Sequence, residues 1–285
     1  MRARDQSAAV ITAYYDGLTP YYRFFYSALG LHYGLWDSHT RSLRQSLLNH
    51  KHAMLQRLGK VDAGSHVLDA GCGAGWTSVL FARVTACRVT GITLSAQQMK
   101  AAQRHAVLSG VMQRVQFRRE DFSATSFPDA SFSHAIASES SCYAPDKLQW
   151  LREMYRLLQP GGRLVIADYY LGCAEADLSD YQRRHYRIFC EGFAVPDLPC
   201  IADMEQWAKE AGFMVRESLD VTNAVTRTAH YIRWLGVITY PLGILLRVLQ
   251  LAPPELLPHL RTCIHQPAAL RELGSYRFIT LEKPF

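Results

Sequence analysis

The feature that most constrains the fold of this chain is a run of spaced glycines that follows a short apolar segment. Residues 66–76 read HVLDAGCGAGW, with glycines at positions 71, 73 and 75. An apolar strand that enters a glycine turn and then a helix lets the backbone approach a ligand closely, and the helix N-terminus offers unpaired amide groups. The sequence therefore predicts a ligand-binding turn between a strand and a helix.

The spacing of these glycines separates the candidate ligands. Dinucleotide-binding loops follow GxGxxG and phosphate-binding loops follow GxxxxGK[ST], whereas this loop reads GxGxG. Asp69 stands at the strand end just before it, where a carboxylate would repel a pyrophosphate and attract an ammonium group. The loop therefore favours a ligand that carries an amine, with a tight turn that binds nothing as the alternative.

Short apolar segments alternate with amphipathic ones along most of the chain. The predicted strands cover residues 67–69, 87–95, 115–122, 131–140, 161–170 and 274–284. The predicted helices cover residues 41–59, 95–110, 203–213 and most of 228–263, with Ser95 as the N-cap of the second. This alternation predicts an α/β fold: a doubly wound, Rossmann-like, mostly parallel sheet with an antiparallel C-terminal edge strand and a helical cap.

The cap is expected to form from separate insertions, because no Pro/Ser-rich linker divides the chain. We therefore predict a single domain over residues 1–285. Its core would comprise residues 60–170, 203–222 and 275–285. Its cap would comprise residues 1–40, 171–202 and 225–265.

Composition excludes several classes of protein. The 285 residues are 49% apolar, and the net charge of +6 (31 basic minus 25 acidic residues) is too diffuse to indicate a nucleic-acid partner. The seven cysteines form no CxxC pair, so we expect no metal site and a reducing, cytoplasmic location. The first residues lack the apolar core of a secretory signal.

The longest apolar stretch, WLGVITYPLGILL at residues 234–246, lies between Arg233 and Arg247. It is shorter than the ~20 residues that cross a bilayer, and Pro241 interrupts it. A hydrophobic cap over a lipophilic substrate, a plain core helix and a weak membrane-surface contact through residues 231–251 all fit it. The sequence leaves the oligomeric state open.

Several motifs, in order, resemble those of class I S-adenosylmethionine (SAM) dependent methyltransferases. VLDAGCGAGW resembles their motif I, and GITLSAQQ (91–98) is similar to the ribose-binding segment after their second strand. EDF (120–122) resembles the segment that binds adenine, and LLQPGGRLVIAD (157–168) is similar to their fifth-strand signature. The resemblance covers about residues 60–170 and implies SAM as the cofactor.

The resemblance also implies roles for individual residues of the donor site. Asp69, Gly71 and Gly73 would hold the methionine part. The ribose would face Thr93, Leu94 and Gln98, with Thr93 in place of the acid that many relatives keep. The adenine would meet Asp121 and Phe122.

Two further motifs indicate a branch of the family. ESSCYAPDK (139–147) resembles the ExxCHAPDK segment of sterol C24-methyltransferases and the ESGEHMPDK segment of tocopherol methyltransferases, and HYGLW (32–36) is similar to their HYGYW-type motif. They imply Glu139, Tyr143 and His32 as catalytic candidates and Tyr33 as a cofactor-binding residue. Cys142 stands where cyclopropane synthases carry a bicarbonate-binding Glu, which argues against that reaction.

These observations predict a SAM-dependent C-methyltransferase acting on a lipophilic small molecule, an isoprenoid that is either sterol-like or a prenyl diphosphate. The alternative is an O- or N-methyltransferase of an aromatic or alkaloid natural product. A carbocation formed from an alkene would be stabilised by aromatic faces, for which the candidates are Tyr14, Tyr15, Tyr21, Tyr22, Phe24 and Phe25. A basic run with Arg183, Arg184 and Arg187 is either a solvated helix face or a diphosphate site.

Overall fold

A computed structural model describes residues 2–25 and 32–285 of the chain, and it contains a seven-stranded sheet within those ranges. The strands are β1 (His66–Ala70), β2 (Arg88–Thr93), β3 (Val115–Arg119), β4 (Phe132–Ser138), β5 (Leu158–Leu171), β6 (Met214–Asp220) and β7 (Gly274–Glu282). The helices are α1 (Arg2–Phe25), α2 (Leu43–Leu58), α3 (Trp76–Thr85), α4 (Ala96–Leu108), α5 (Lys147–Leu157), α6 (Asp180–Phe193), α7 (Ile201–Glu210), α8 (Thr222–Val248) and α9 (Leu256–Glu272).

The strand order is β3-β2-β1-β4-β5-β7-β6, and the first five strands pair in parallel. The order reverses between β1 and β4, and ligands of such sheets bind beyond the carboxyl ends of the strands at that point. The predicted class, a doubly wound and mostly parallel α/β sheet, is confirmed.

The C-terminal strand β7 is antiparallel, as predicted. The Gly161 amide donates to the Lys283 carbonyl at 2.8 Å and the Gly172 amide to the Leu273 carbonyl at 2.9 Å, so the start of β5 meets the end of β7. Its position differs from the prediction, because β7 lies between β5 and β6 and β6 forms the edge. Side chains along most of β7 are buried, whereas β6 is largely half-exposed, as an edge strand can be.

The chain divides into two compact units. The sheet unit comprises His50–Asp168, Ala202–Leu219 and Arg277–Phe285, and its central strands carry fully buried Leu, Val and Ile side chains. The helical unit comprises Met1–Asn49, Tyr169–Ile201 and Asp220–Tyr276. In the helical unit Tyr14 and Leu18 of α1 form a buried apolar cluster with Leu256 and Leu260. Across the described ranges, every helix falls short of the combined length and apolar content that crossing a bilayer requires.

Helix α4 begins where the sequence predicts it. The Ser95 hydroxyl accepts a hydrogen bond from the Gln98 amide at 3.0 Å, which confirms Ser95 as the N-cap. We expect Ser95→Ala to lower the free energy of unfolding by about 1 kcal/mol, because a first-turn amide loses its partner. Ser109→Ala at the other end of the same helix is the control, since a serine there faces carbonyls rather than orphan amides. Equal losses in urea denaturation would contradict the capping role.

Candidate functional site

The glycine loop is held against the carboxyl end of β2. The amides of Gly71 and Cys72 both donate to the Ile92 carbonyl, at 3.0 and 2.9 Å. Gly71 has a φ of +89°, and a Cβ at this position would overlap the side chain of Ser140. A glycine is therefore required here both by the backbone conformation and by the close approach of the segment after β4.

Gly73 sits in different surroundings from Gly71. Its φ is +52°, and the nearest heavy atom to a Cβ built there is the Gln98 Nε2, 4.0 Å away. The helix that follows begins at Trp76 without a side-chain cap on its first amides. The loop therefore leaves open space beside a helix N-terminus, which is the surface that a polar ligand tail would occupy.

Asp69 lies at the end of β1, behind the loop, and is buried. Its Oδ2 accepts a hydrogen bond from the Ser78 hydroxyl of α3 at 2.5 Å. Burial raises the pKa of Asp69 to about 6, while the Ser78 hydrogen bond and the positive charge of Lys51 hold it down. Lys51 is itself buried, and this lowers the pKa of its ammonium to about 7. A buried carboxylate and a buried ammonium group therefore lie behind the loop.

The predicted ribose-facing residues lie together at the end of β2. The Thr93 hydroxyl donates to the Gln98 Oε1 at 3.0 Å, and both side chains are buried. Leu94 is half-buried, and its carbonyl accepts from the Arg119 guanidinium at 2.9 Å. Gln98 therefore contacts Thr93 on one side and borders the space over Gly73 on the other.

Asp121 and Phe122 follow β3, the next strand of the sheet. The Asp121 carboxylate accepts from the Ser123 amide at 2.8 Å, which orients the loop. The Phe122 ring packs edge-on against buried Trp150, with 6.0 Å between ring centroids. Both residues are half-buried, so each retains a face that a ligand can reach.

Glu139 follows β4 with its backbone in the left-handed region. Its φ is +49°, and its amide donates to the Ala167 carbonyl at 2.8 Å. A non-glycine residue in this conformation is strained, and such strain concentrates at functional sites. Tyr143 lies on a short 3₁₀ turn, Ser141–Tyr143, and is half-buried.

Two buried charged residues, which sequence reasoning missed, hold the segment 139–147. The Asp168 carboxylate at the end of β5 accepts from the Ser141 hydroxyl at 2.6 Å and from the Cys142 amide at 2.9 Å. The Lys147 ammonium donates to the carbonyls of Cys142 and Ala144, at 3.1 and 2.6 Å. The only sequence signal for Asp168 and Lys147 was their place within the quoted motifs, and a motif does not predict which groups these side chains contact.

The HYGLW motif belongs to the helical unit. The Tyr33 hydroxyl donates to the Gln266 Oε1 of α9, and the Thr228 hydroxyl of α8 accepts from the Gly34 amide at 3.1 Å and the Trp36 indole at 2.8 Å. The His32 Nδ1 lies 2.9 Å from the Tyr33 carbonyl. The remaining predicted site residues belong to the sheet unit, where they lie at or after the ends of β1 to β4, whereas His32 and Tyr33 belong to the other unit.

Helices α1, α8 and α9 of the helical unit line a small apolar cavity of about 40 Å³. Its lining is leucine, isoleucine and glycine, with Tyr21, Thr239, Cys263 and His259 as the polar exceptions. The His259 Nδ1 lies 2.9 Å from the Tyr14 hydroxyl and its Nε2 lies 3.4 Å from the Cys263 sulfur. Burial lowers the pKa of His259 to about 4, so the imidazole is neutral at physiological pH.

Two other groups of candidate residues have mixed placements. Of the aromatic candidates in α1, Tyr14, Tyr15 and Tyr21 are described, and the side chains of Tyr22, Phe24 and Phe25 lie outside the described residues. In the basic run of α6, Arg183 donates to backbone carbonyls of residues 175–178, whereas Arg184 and Arg187 are exposed. The three arginine side chains therefore have different environments and do not form one site.

The fold and the loop define a class of protein, a Rossmann-like domain with a glycine turn at the carboxyl end of β1, and comparison with known proteins identifies the family. A family profile described as "Methyltransferase domain" matches residues 68–166. The chain is 31% identical over 192 residues to 27-O-demethylrifamycin SV methyltransferase of Amycolatopsis mediterranei (strain S699), covering 67% of this chain and 69% of that protein.

A sterol enzyme and a solved structure extend the comparison. Identity is 30% over 210 residues to cycloartenol-C-24-methyltransferase 1 of Oryza sativa subsp. japonica, covering 72% of this chain and 59% of that protein. A geranyl diphosphate methyltransferase solved with GPP and sinefungin has a TM-score of 0.77 at 18% identity, over 97% of this chain and 99% of that one. The last likeness shows the fold alone. This chain spans less than two thirds of the length of the sterol methyltransferase relatives.

The chain belongs to the class I SAM-dependent methyltransferases, in the branch that includes the sterol methyltransferases. Its residues fit the SAM of that family, because the space over Gly73 is open and the ionisable Asp69 lies directly before the loop. Asp69, Gly71 and Gly73 would hold the amino-acid tail, Thr93, Leu94 and Gln98 the ribose, and Asp121 with Phe122 the adenine.

Proposed function

We propose that this protein is a SAM-dependent C-methyltransferase whose acceptor is a lipophilic isoprenoid. The donor-type loop of the sheet unit and the sequence likeness to cycloartenol-C-24-methyltransferase 1 support the reaction. The cytoplasm is the proposed compartment, because seven cysteines without a CxxC pair suit a reducing environment.

The observation that carries the proposal is the apolar cavity of the helical unit. Pockets for lipophilic ligands are lined mainly by apolar groups with a few polar ones, and the lining of this cavity follows that pattern. Its histidine is neutral, so the lining offers no fixed charge to a charged acceptor. We therefore propose that these helices contact a neutral, lipophilic acceptor.

This favours a sterol-like acceptor over a prenyl diphosphate. A diphosphate needs several cationic or amide donors directed at one point. In α6 the Arg183 guanidinium is already engaged with backbone carbonyls, and Arg184 and Arg187 are exposed on the helix surface. The basic run is better explained as a solvated helix face.

The chemistry requires few protein groups. When bound, SAM supplies an electrophilic methyl group, and its thioether leaves without needing a proton. The chain must then position the acceptor at near-attack distance, about 3–3.5 Å, and exclude water. Methylation of one alkene carbon leaves a positive charge on the other, and a carbon next to that charge must then lose a proton to a base, so that its C–H electron pair forms a new double bond. We assign the removal of that proton to the carboxylate of Glu139, the residue after β4 whose backbone is strained. Tyr143 would supply an aromatic face, and His32 is the second candidate base.

An O- or N-methyltransferase of an aromatic natural product is the second candidate. The likeness to 27-O-demethylrifamycin SV methyltransferase favours it, because the name of that enzyme denotes transfer to oxygen. Incubation with SAM carrying a deuterated methyl group, and with separate panels of sterols, prenyl diphosphates and phenols, discriminates between them. We expect labelled product from the sterol panel, with the methyl on carbon by NMR. Label on oxygen or nitrogen would overturn the proposal.

The cavity assignment has its own test in the purified enzyme. We expect Thr239→Phe, which narrows the cavity, to raise the KM for the acceptor at least fivefold while the affinity for S-adenosylhomocysteine is unchanged. Thr226→Phe is the matched control. It lies on the same helix, is also half-buried, and also bonds the carbonyl four residues earlier, but it is outside the cavity lining. The same KM for both variants would place the acceptor elsewhere.

A further inference from the structure

Helix α8 presents a continuous apolar stripe to solvent. Trp234, Ile238 and Val248 are 58%, 55% and 73% exposed. Large exposed apolar side chains recur on one side of the helix, one or two in each turn, at Tyr231, Trp234, Val237, Ile238, Leu242, Leu245, Val248 and the C-cap residue Leu249. We call this set the outer face of α8. At 1.5 Å per residue it is roughly 27 Å long.

The outer face is not the packing face of the helix. Ile232, Gly236 and Gly243 on the opposite side are buried, and a Cβ on Gly236 would lie 3.0 Å from the Cys263 Cβ of α9. Helix α8 is therefore apolar on both sides, yet one side stays exposed in the helical unit. Apolar patches of this extent mark binding surfaces.

The charges on α8 indicate what that surface binds. Residues 222–251 contain no aspartate or glutamate, whereas Arg227, Arg233 and Arg247 are basic. Arg227 stacks on the Trp36 ring and Arg233 donates one hydrogen bond to the Ile264 carbonyl, but both guanidinium-bearing residues stay exposed. They lie near the N-terminal end of the outer face, beside the aromatic pair Tyr231 and Trp234, whose centroids are 6.2 Å apart. Arginines that accompany interfacial tyrosine and tryptophan match the headgroup layer of an anionic bilayer.

A second copy of the chain fits this face less well. It would bring the same arginines and no carboxylate from α8 to pair with them. A bilayer supplies both the apolar layer and the phosphates. Since α8 cannot cross a bilayer, it would lie in the plane of the surface, as interfacial amphipathic helices do.

We propose that the outer face of α8 docks the protein on anionic lipid membranes, with Trp234 inserted at the headgroup level. This interaction goes beyond the proposed methyl transfer and holds whatever the acceptor is. It would bring the enzyme to the phase in which a lipophilic acceptor dissolves.

The test is vesicle flotation of the full chain with phosphatidylcholine vesicles that contain 30% phosphatidylglycerol. We expect the protein to float with them, and to float at least fivefold less with pure phosphatidylcholine or at high salt. The triple variant Trp234→Gln/Ile238→Gln/Leu245→Gln should lose at least nine-tenths of this binding. The control Val107→Gln/Leu108→Gln changes exposed apolar residues of α4 and should bind as the parent does.

Two further measurements keep the proposal falsifiable. Brominated lipid chains should quench the parent fluorescence more strongly than that of Trp234→Phe. Arg227→Gln/Arg233→Gln should remove the preference for phosphatidylglycerol. Equal flotation of the triple variant and its control would overturn the proposal. So would a dimer, seen by light scattering without lipid, that the triple variant abolishes. Calorimetry with S-adenosylhomocysteine confirms that each variant is folded, so failure to bind membranes is separable from failure of methyl transfer.

Discussion

Gly71→Ala is expected to lower the free energy of unfolding by about 3 kcal/mol and to abolish measurable donor binding. The new Cβ would be forced into a left-handed backbone at a φ of +89°, which costs about 1–2 kcal/mol. It would also overlap the Ser140 side chain in a packed region, which costs about 1–3 kcal/mol more. Urea denaturation followed by circular dichroism measures the first effect, and calorimetry with S-adenosylhomocysteine the second.

Gly110→Ala is the matched control for this experiment. Gly110 also has a positive φ, +68°, and lies in the same unit, but a Cβ there would meet no atom within 4 Å. Gly110→Ala should lower the free energy of unfolding only by the cost of the left-handed backbone, about 1 kcal/mol, and it should keep the full affinity for the donor. Equal losses in the two variants would mean that the approach of Ser140 to the loop is unimportant.

The parts of the fold that were predictable are those with local signals. The order of strand, glycine turn and helix at β1 and α3, and the N-cap at Ser95, depend on residues within a few positions of each other. Local backbone preferences and apolar periodicity encode such features directly. The parallel sheet followed from the alternation of the elements, because crossover connections leave few other arrangements.

The parts that were not predictable depend on residues far apart in the chain. The inner position of β7 results from pairing with β5, more than one hundred residues earlier, for example between Lys283 and Gly161. The hydrogen bond from the Ser141 hydroxyl to the Asp168 carboxylate likewise connects the segment after β4 to β5. A buried aspartate or lysine has no sequence pattern of its own, because its partner is defined only by the completed sheet.

The positions of the candidate site residues along the chain were predictable, but their backbone conformations and pKa values were not. The motifs locate Glu139 after β4, but no neighbouring residue in the sequence predicts its left-handed backbone, because glutamate has no preference for that conformation. The raised pKa of Asp69 likewise depends on burial and on Lys51, which lies on another element. The roles of these residues toward donor and acceptor stay predictions, because a role requires a ligand.

Asp69→Asn is expected to weaken binding of S-adenosylhomocysteine by roughly tenfold to a hundredfold. The product carries the same amino-acid tail as the donor, and a charge-assisted hydrogen bond to an ammonium contributes about 1.5–3 kcal/mol. Asparagine preserves the volume and can still accept from the Ser78 hydroxyl, so the local structure should persist. Binding within twofold of the parent would refute the assignment of Asp69 to the ammonium.

The pH dependence of binding gives this prediction a second, independent readout. Asp69 must be ionised to attract an ammonium, and its pKa is raised to about 6, so the parent affinity should rise between pH 5 and pH 7. Lys51, with a pKa of about 7, is almost fully protonated at pH 5 and about half protonated at pH 7, and the ligand ammonium stays charged. In Asp69→Asn the rise should vanish. In Lys51→Met it should move to higher pH, because the positive charge that holds the Asp69 pKa down is gone. A parent profile that is flat from pH 5 to pH 7, measured by calorimetry, would mean that the carboxylate is not the group that meets the ligand's amine.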